Sequence, residues 1–240
     1  MSKRNPIEDL AHLRHEFGEH GGVNMSIEAS TTFTVMDPET MPEMFAGRKG
    51  PDKGCYLYGR HFNPTVHNLG RQLAAMEGTE AAYCTASGMA AISGAVLGVC
   101  QAGDEIVASN AIYGGSYALL HDFLPAKPGI RTTFVDITDL DAVAEAITDK
   151  TRLLFTESVS NPTLRLANIP ALAGIAHETG TQLMVDNTFS PLILRPAELG
   201  ADIVVHSITK FISGSSDVIA GTVCGTESFI GELMDLHMGP

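Results

Sequence analysis

TRLLFTESVSNPTLRLANIPALAGIAHETGTQLMVDN, residues 151–187, decides the fold class. Two short apolar runs, TRLLFTES and QLMVDN, flank IPALAGIAHETG, in which apolar residues recur at helical spacing. Strand, helix, strand in close succession is the unit of a parallel sheet, whose neighbouring strands need a crossover connection. The centres of the two runs, LLF and LMV, are continuously apolar, as strands covered on both faces are.

The same alternation extends in both directions. HNLGRQLAAMEG, GMAAISGAVLGVC, YALLHDFL and DLDAVAEAI carry helical patterns, with EAAYCTA, DEIVAS and RTTFVD as the strands among them. Downstream, a short PAELG helix separates QLMVDN from DIVVHS. The expectation is an α/β fold: a mainly parallel sheet with helices on both faces. Before about residue 65 the texture differs: STTFTVMDPET and AGRKGPDKG are punctuated by Pro and Gly, which disfavours long elements. Residues 1–65 are therefore expected to form an extended arm, and residues 66–240 a ligand-binding α/β domain.

With 240 residues, 44% hydrophobic and 18% charged, the chain can bury a full core. A formal charge of −13 argues against a nucleic-acid footprint, which needs clustered Lys and Arg. MSKRNPIEDLAHLRHEF has no apolar segment behind its basic residues, so the expected place is the cytoplasm. The run Met89 to Cys100 is interrupted by Ser93, Gly94 and Gly98 and is too short to cross a bilayer. The four cysteines, Cys55, Cys84, Cys100 and Cys224, have no metal-like spacing and are expected to be free, buried thiols. His12, His15 and His20, with Glu16 among them, fit a solvated helical arm better than a metal site, because no second cluster completes a coordination shell.

In open α/β sheets ligands bind beyond the carboxyl ends of the strands. Those tails carry Ser87-Gly88-Met89, Tyr113-Gly114-Gly115, Glu157, Asn161-Pro162, Asp186-Asn187-Thr188 and Ser207 to Lys210, and neither GxGxxG nor GxxxxGK[ST] occurs. Asp186 closes an apolar strand, where a carboxylate needs a cation, and Lys210 follows the neighbouring strand. A plain structural ion pair would satisfy both. Ser207 and Thr209 beside the lysine, together with a helix opening at Gly88, add a phosphate seat. Lysine, carboxylate and phosphate seat together suit pyridoxal 5'-phosphate, which forms a Schiff base with a lysine and keeps its ring nitrogen protonated against an acid. Lys210 is then expected in a desolvated place, as the neutral amine that imine chemistry requires. Tyr113, flanked by glycines, is placed to stack on the ring.

YLYGRHFNPTV, TASGMAA, IYGGSYALL, TESVSNPT, VDNTFSP and HSITKFISG together resemble the Cys/Met-metabolism, γ-family pyridoxal-phosphate enzymes of fold type I, along nearly the whole chain. Within that family, residues 59–89 are most similar to methionine γ-lyases of plant type and their bacterial relatives. The resemblance implies α,γ-elimination of methionine to methanethiol, ammonia and 2-oxobutanoate. It implies that Lys210 holds the cofactor and moves protons, that Asp186 pairs with the ring nitrogen, and that Tyr113 stacks on the ring and protonates the leaving thiolate. Gly88, Met89, Ser207 and Thr209 would bind the phosphate, with Tyr58 and Arg60 reaching in from a neighbouring subunit. Asn161 would lie near the ring hydroxyl and Glu157 in the supporting network. A homo-oligomer with shared sites, a dimer of dimers, follows, as do a small-molecule sulfur amino acid as substrate and no nucleic-acid, membrane or metal partner.

The sequence departs from the family in three places. Family members continue into a smaller C-terminal domain with an arginine for the substrate carboxylate, whereas this sequence stops at LMDLHMGP, so a fragment that binds cofactor without turnover is a competing reading. Gly115 stands where some bacterial methionine γ-lyases carry cysteine, and GSSD lacks the histidine common in that loop. Cystathionine γ-synthase, cystathionine γ-lyase and O-acylhomoserine sulfhydrylase could use the same visible residues.

Overall fold

The structure, a computed structural model, describes residues 5–12, 26–46 and 48–234. His15, Glu16, His20 and the side chain of His12 lie outside what is described, and with them the reading of a histidine-bearing arm. Seven strands form one sheet: β1 Ala81–Thr85, β2 Glu105–Ser109, β3 Arg131–Val135, β4 Thr151–Glu157, β5 Gln182–Asp186, β6 Ile203–His206 and β7 Gly221–Gly225. Their spatial order is β1-β7-β6-β5-β4-β2-β3. All pairs are parallel except those of β7, which runs antiparallel to both β1 and β6. The carboxyl ends of β1 to β6 therefore share one rim, and β7 starts there. The reversed β7 is a feature the sequence reading did not contain.

The helices are α1 Pro6–His12, α2 Thr40–Phe45, α3 Pro64–Glu77, α4 Gly88–Val99, α5 Gly114–Ala118, α6 Leu124–Ala126, α7 Leu140–Ala146, α8 Ile169–Glu178 and α9 Glu227–Glu232. A π-helical turn at Leu119–Phe123 joins α5 to α6. Alternation along the strands sorts the core into two faces. Phe155, Met184, Val205 and Val223 pack with Ala91, Ile92, Ala95 and Val96 of α4. Leu154, Val185, Val204 and Cys224 pack with Leu73 and Met76 of α3 and with Leu172 and Ala176 of α8. The α/β architecture with helices on both faces is as the periodicity predicts.

Local chemistry fixes where the helices begin. The Asn63 side chain accepts from the N–H groups of Thr65 and Val66, Pro64 follows as the first helical residue, and Gly78 ends α3 at a φ of 76°. Ser87 accepts from Ala90 N at 3.1 Å, which starts α4 at Gly88, directly on the rim. The arm is less extended than expected, since it holds α1, α2 and an isolated bridge between Thr32 and Tyr58. It is pinned to this chain's own body. Asn63 Nδ2 donates to the carbonyls of Glu28 and Ser30, and Asp9 pairs with Arg195 at 2.9 Å. Among the described residues no helix is long and apolar enough to cross a membrane.

Candidate active site

Asp186 ends β5 opposite Val205, on the α4 face of the sheet, with Glu157 as its register partner on β4. Its Oδ1 accepts from both the backbone N–H and the hydroxyl of Thr188. Its Oδ2 accepts no hydrogen bond from any described residue. Burial pushes this carboxyl above the usual range, while the Thr188 donors and the nearby His206 charge oppose the rise. A buried carboxylate with one oxygen unengaged fits a cationic N–H donor such as a protonated pyridine nitrogen.

Thr188 is the residue that ties the rim together; the sequence reading placed it on the rim without giving it a role. Its Oγ1 donates to Asp186 and accepts from Ser207 N at 2.8 Å, which links the end of β5 to the end of β6. The signal was present in Asp-x-Thr, a spacing at which a hydroxyl and an amide can both fold back on the carboxylate. Ser207 touches Gly88 in turn. A Cβ built on Gly88 would lie 2.7 Å from Ser207 Cβ and 2.9 Å from its Cα and Oγ, so only glycine lets the first turn of α4 approach this strand end. This contact sets the first turn of α4, whose leading N–H groups are those of Gly88 and Met89, against Ser207. Lys210 N donates to Ser207 O at 3.1 Å and brings the lysine onto the same rim. The structure thus gathers Gly88, Met89, Asp186, Ser207 and Lys210.

Glu157 organises the second half. Its Oε1 accepts from Tyr113 N at 2.7 Å and its Oε2 from Asn161 N at 2.8 Å, so one carboxylate holds both loops. Burial raises its pKa to about 7; the two backbone donors lower it and the Asp186 charge adds to the rise. Tyr113 is half exposed, and its ring fills the space over Gly115, where a Cβ would lie 2.5 Å from a ring carbon.

The exposure of Lys210, the bonding of Thr209 and the burial of two of the thiols differ from the sequence expectations. Lys210 is exposed, not desolvated, and its Nζ makes no hydrogen bond or ion pair with a described residue. The reason is geometric: β6 stops at His206, and Ser207 to Lys210 turn out beyond the sheet. Thr209 Oγ1 donates to Ala220 O and accepts from Ala220 N, both at 3.1 Å, so its proton already spans the connection from β6 to β7. Tyr58 and Arg60 line a separate cavity of about 390 Å³, with Glu28, Ser30, Asn63 and Thr65 among its walls and none of the rim residues. The Arg60 guanidinium there lies 5.6 Å from the centre of the Tyr58 ring. Of the four thiols, Cys100 and Cys224 are buried, whereas Cys55 and Cys84 are only partly so.

The family described as Cys/Met metabolism PLP-dependent enzyme matches residues 10–239. A methionine gamma-lyase of Arabidopsis thaliana is 60% identical over 236 residues, which cover 98% of this chain and 54% of that enzyme. The crystal structure of MetB from Corynebacterium glutamicum superposes with a TM-score of 0.86 at 36% identity, covering 97% of this chain and 58% of that one. An O-acetylhomoserine (thiol)-lyase structure from Campylobacter jejuni, which carries N'-pyridoxyl-lysine-5'-monophosphate, gives a TM-score of 0.87 at 28% identity, over 98% and 57% of the two chains. The chain spans about half the length of the curated relatives it matches.

Proposed function

The chain belongs to the Cys/Met metabolism PLP-dependent enzyme family, and on that premise we propose that it acts in a carbon–sulfur lyase eliminating the γ-thiol group of L-methionine or a related sulfur amino acid. Methionine and water would give methanethiol, ammonia and 2-oxobutanoate. One observation carries the reading: a lysine and a buried carboxylate oxygen that have no partner among the described residues meet a glycine-opened helix at one rim of the sheet.

Pyridoxal phosphate, when bound, would supply the electron sink that makes the substrate's Cα proton removable. Nζ of Lys210 holds the cofactor and then moves the substrate's Cα and Cβ protons. Asp186 accepts a charge-assisted hydrogen bond from the ring nitrogen through Oδ2. The N–H groups of Gly88 and Met89 and the Ser207 hydroxyl hold the phosphate, and Thr209 joins them by exchanging its bond to Ala220. The Tyr113 hydroxyl protonates the departing thiolate, and Asn161 stands near the ring hydroxyl. Glu157 positions both loops. Tyr58 and Arg60 complete the phosphate site of a second subunit in a homo-oligomer built as a dimer of dimers. A guanidinium fork beside an aromatic ring, in a cavity apart from this chain's own rim, supports that assignment.

The test is product analysis with methionine as sole substrate. Equal amounts of methanethiol and 2-oxobutanoate are expected. A strict requirement for cystathionine or an acylhomoserine would replace this reading with a γ-synthase, γ-lyase or sulfhydrylase. Mixing Arg60→Ala with Lys210→Ala chains tests the shared site, since only shared sites regain activity on mixing.

A further inference from the structure

The face of the sheet opposite the proposed cofactor site holds a polar cluster that the chemistry above does not use. Glu77, the last residue of α3, and His206, the last of β6, both have fully buried side chains, with His206 Nε2 2.7 Å from Glu77 Oε1. Asn187 Nδ2 donates to the same carboxylate, at 3.2 and 3.4 Å, and to Leu194 O at 2.9 Å. Asn187 Oδ1 accepts from the Ser190 hydroxyl, and Asn187 N donates to Val205 O. Among the described residues His206 Nδ1 is buried without a hydrogen-bond partner, so the imidazole's one hydrogen bond there is to Glu77.

The position of this cluster along the chain gives it a role. Asn187 sits between Asp186 and Thr188, and His206 immediately precedes Ser207. One carboxylate therefore grips, from behind, the two residues whose neighbours make the relay from Asp186 through Thr188 to Ser207 in front. The carboxylate is itself rigidly mounted. Arg195, whose side chain is 5% exposed, donates to the carbonyls of Ala75 and Met76 at 2.8 Å and pairs with Asp9 and Glu198, which ties down the end of α3. His206 also counters part of the rise that burial gives the Asp186 carboxyl pKa.

We propose that Glu77, through His206 and Asn187, is a positioning residue that sets the spacing between the ends of β5 and β6, and with it the fit of Asp186 and Ser207 to the cofactor. The cofactor part of this proposal rests on the function read above; the spacing part does not.

Replacing the buried pair by apolar residues of similar size, Glu77→Met with His206→Leu, separates positioning from stability, because such swaps often leave stability unchanged or improved. Two readouts are taken on the full chain. In cofactor-free protein, amide exchange of Thr188 and Ser207 is expected to accelerate about tenfold or more while core amides such as those of Val185 and Val223 keep their rates. With pyridoxal phosphate, the dissociation constant is expected to rise on the order of 10- to 100-fold, by analogy with the loss of an outer-shell partner at a metal site. Glu77→Gln, which keeps the length and one acceptor, should give a smaller change of the same kind. Exchange and affinity both within twofold of the unmodified protein overturn the proposal. So does a double variant that fails to fold or exchanges uniformly faster, since the cluster would then support the whole domain and not the rim. Should the unmodified chain bind no pyridoxal phosphate, the functional reading falls, while the exchange of Thr188 and Ser207 still decides the positioning role.

Discussion

Gly88→Ala tests how tightly the start of α4 is built against the lysine-bearing turn. The new Cβ would lie 2.7 Å from Ser207 Cβ and 2.9 Å from its Cα. Carbon atoms settle at about 3.5–4.0 Å, so one side must retreat by about 1 Å. Ser207 is held by its 2.8 Å bond to Thr188, which is bonded to Asp186, and the movement would spread along that relay. Overpacking of this kind costs about 1–3 kcal/mol, from which the gain of about 0.4–1 kcal/mol for replacing a glycine is subtracted. The net effect on folding is about 0–2.6 kcal/mol, or a fall in Tm of at most about 10 °C for a chain of this size. Cofactor binding should suffer more sharply, since a displacement of about 1 Å in a positioned site can cost on the order of 100-fold. Spectrophotometric titration with pyridoxal phosphate, beside calorimetric melting, measures both. Gly174→Ala in α8, where the added Cβ meets nothing within 4 Å, is the control and should leave binding unchanged while gaining up to about 1 kcal/mol of stability. A Gly88→Ala protein that binds the cofactor within threefold of the parent would refute the reasoning.

Lys210→Ala should abolish the visible absorption that forms with pyridoxal phosphate and is lost on borohydride reduction. Its melting temperature should stay close to the parent's, because the exposed amine has no partner among the described residues; an unchanged visible band would point to another lysine. Glu157 titrates in the folded chain near 7 against an ordinary value of 4.5, so the folded state holds the extra proton between these values. Its contribution to stability is full below about pH 4.5 and is lost as pH rises through 7, a decline on the order of 3 kcal/mol. Glu157→Gln lacks this decline, so its stability relative to the parent should rise between pH 5 and pH 8 in denaturant titrations; parallel curves would contradict the assignment. Arg195→Met removes the donors to Ala75 O and Met76 O and leaves Asp9 without its cation, and should cost about 3 kcal/mol in the same titrations. A loss below about 0.5 kcal/mol would mean that α3 needs no such clamp.

How much of this was legible depends on the kind of signal. Strand and helix alternation from residue 67 onward was visible because strands inside the sheet such as QLMVD and IVVH have apolar centres on both sides. Gly88 and Asp186 were visible because they lie at strand ends and helix starts, positions that chain order alone marks. The reversal of β7 was not seen, although residues 207–220 between β6 and β7 carry Gly and Ser punctuation and form turns with no crossover helix, which suits an antiparallel return. Glu77 was not singled out in the sequence, yet it lies four residues after Leu73 on the buried stripe of α3. His206 alternates with Val204 on the same face, so the two periodicities together would have predicted their meeting. The exposure of Lys210 could not be read, because the apolar strand before it describes β6 and not the turn that follows.

The reversed β7 also explains why the rim is crowded enough to make a site. Had β7 run parallel to its neighbours, its first residue would lie at the far end of the sheet and a crossover would fill the space above β6. Running backwards, it brings Gly221 opposite Thr85 at the rim. Here a Cβ on Gly221 would fall 2.2 Å from Ser87 O, so the strand passes directly under the loop that opens α4. Thr85 Oγ1 fixes that loop by donating to Ser87 O at 2.8 Å. The start of α4 is thus held against β7 through Ser87 and against β6 through Gly88 and Ser207. Two glycines on different elements let backbone replace side chain at the same place, and the N–H groups of one helix end meet the hydroxyl and the amine delivered by the turn after β6. It follows that Gly221→Ala should weaken cofactor binding as Gly88→Ala does, although residue 221 has no proposed contact with the cofactor. If Gly221→Ala bound pyridoxal phosphate like the parent, the loop would be positioned by something other than this packing.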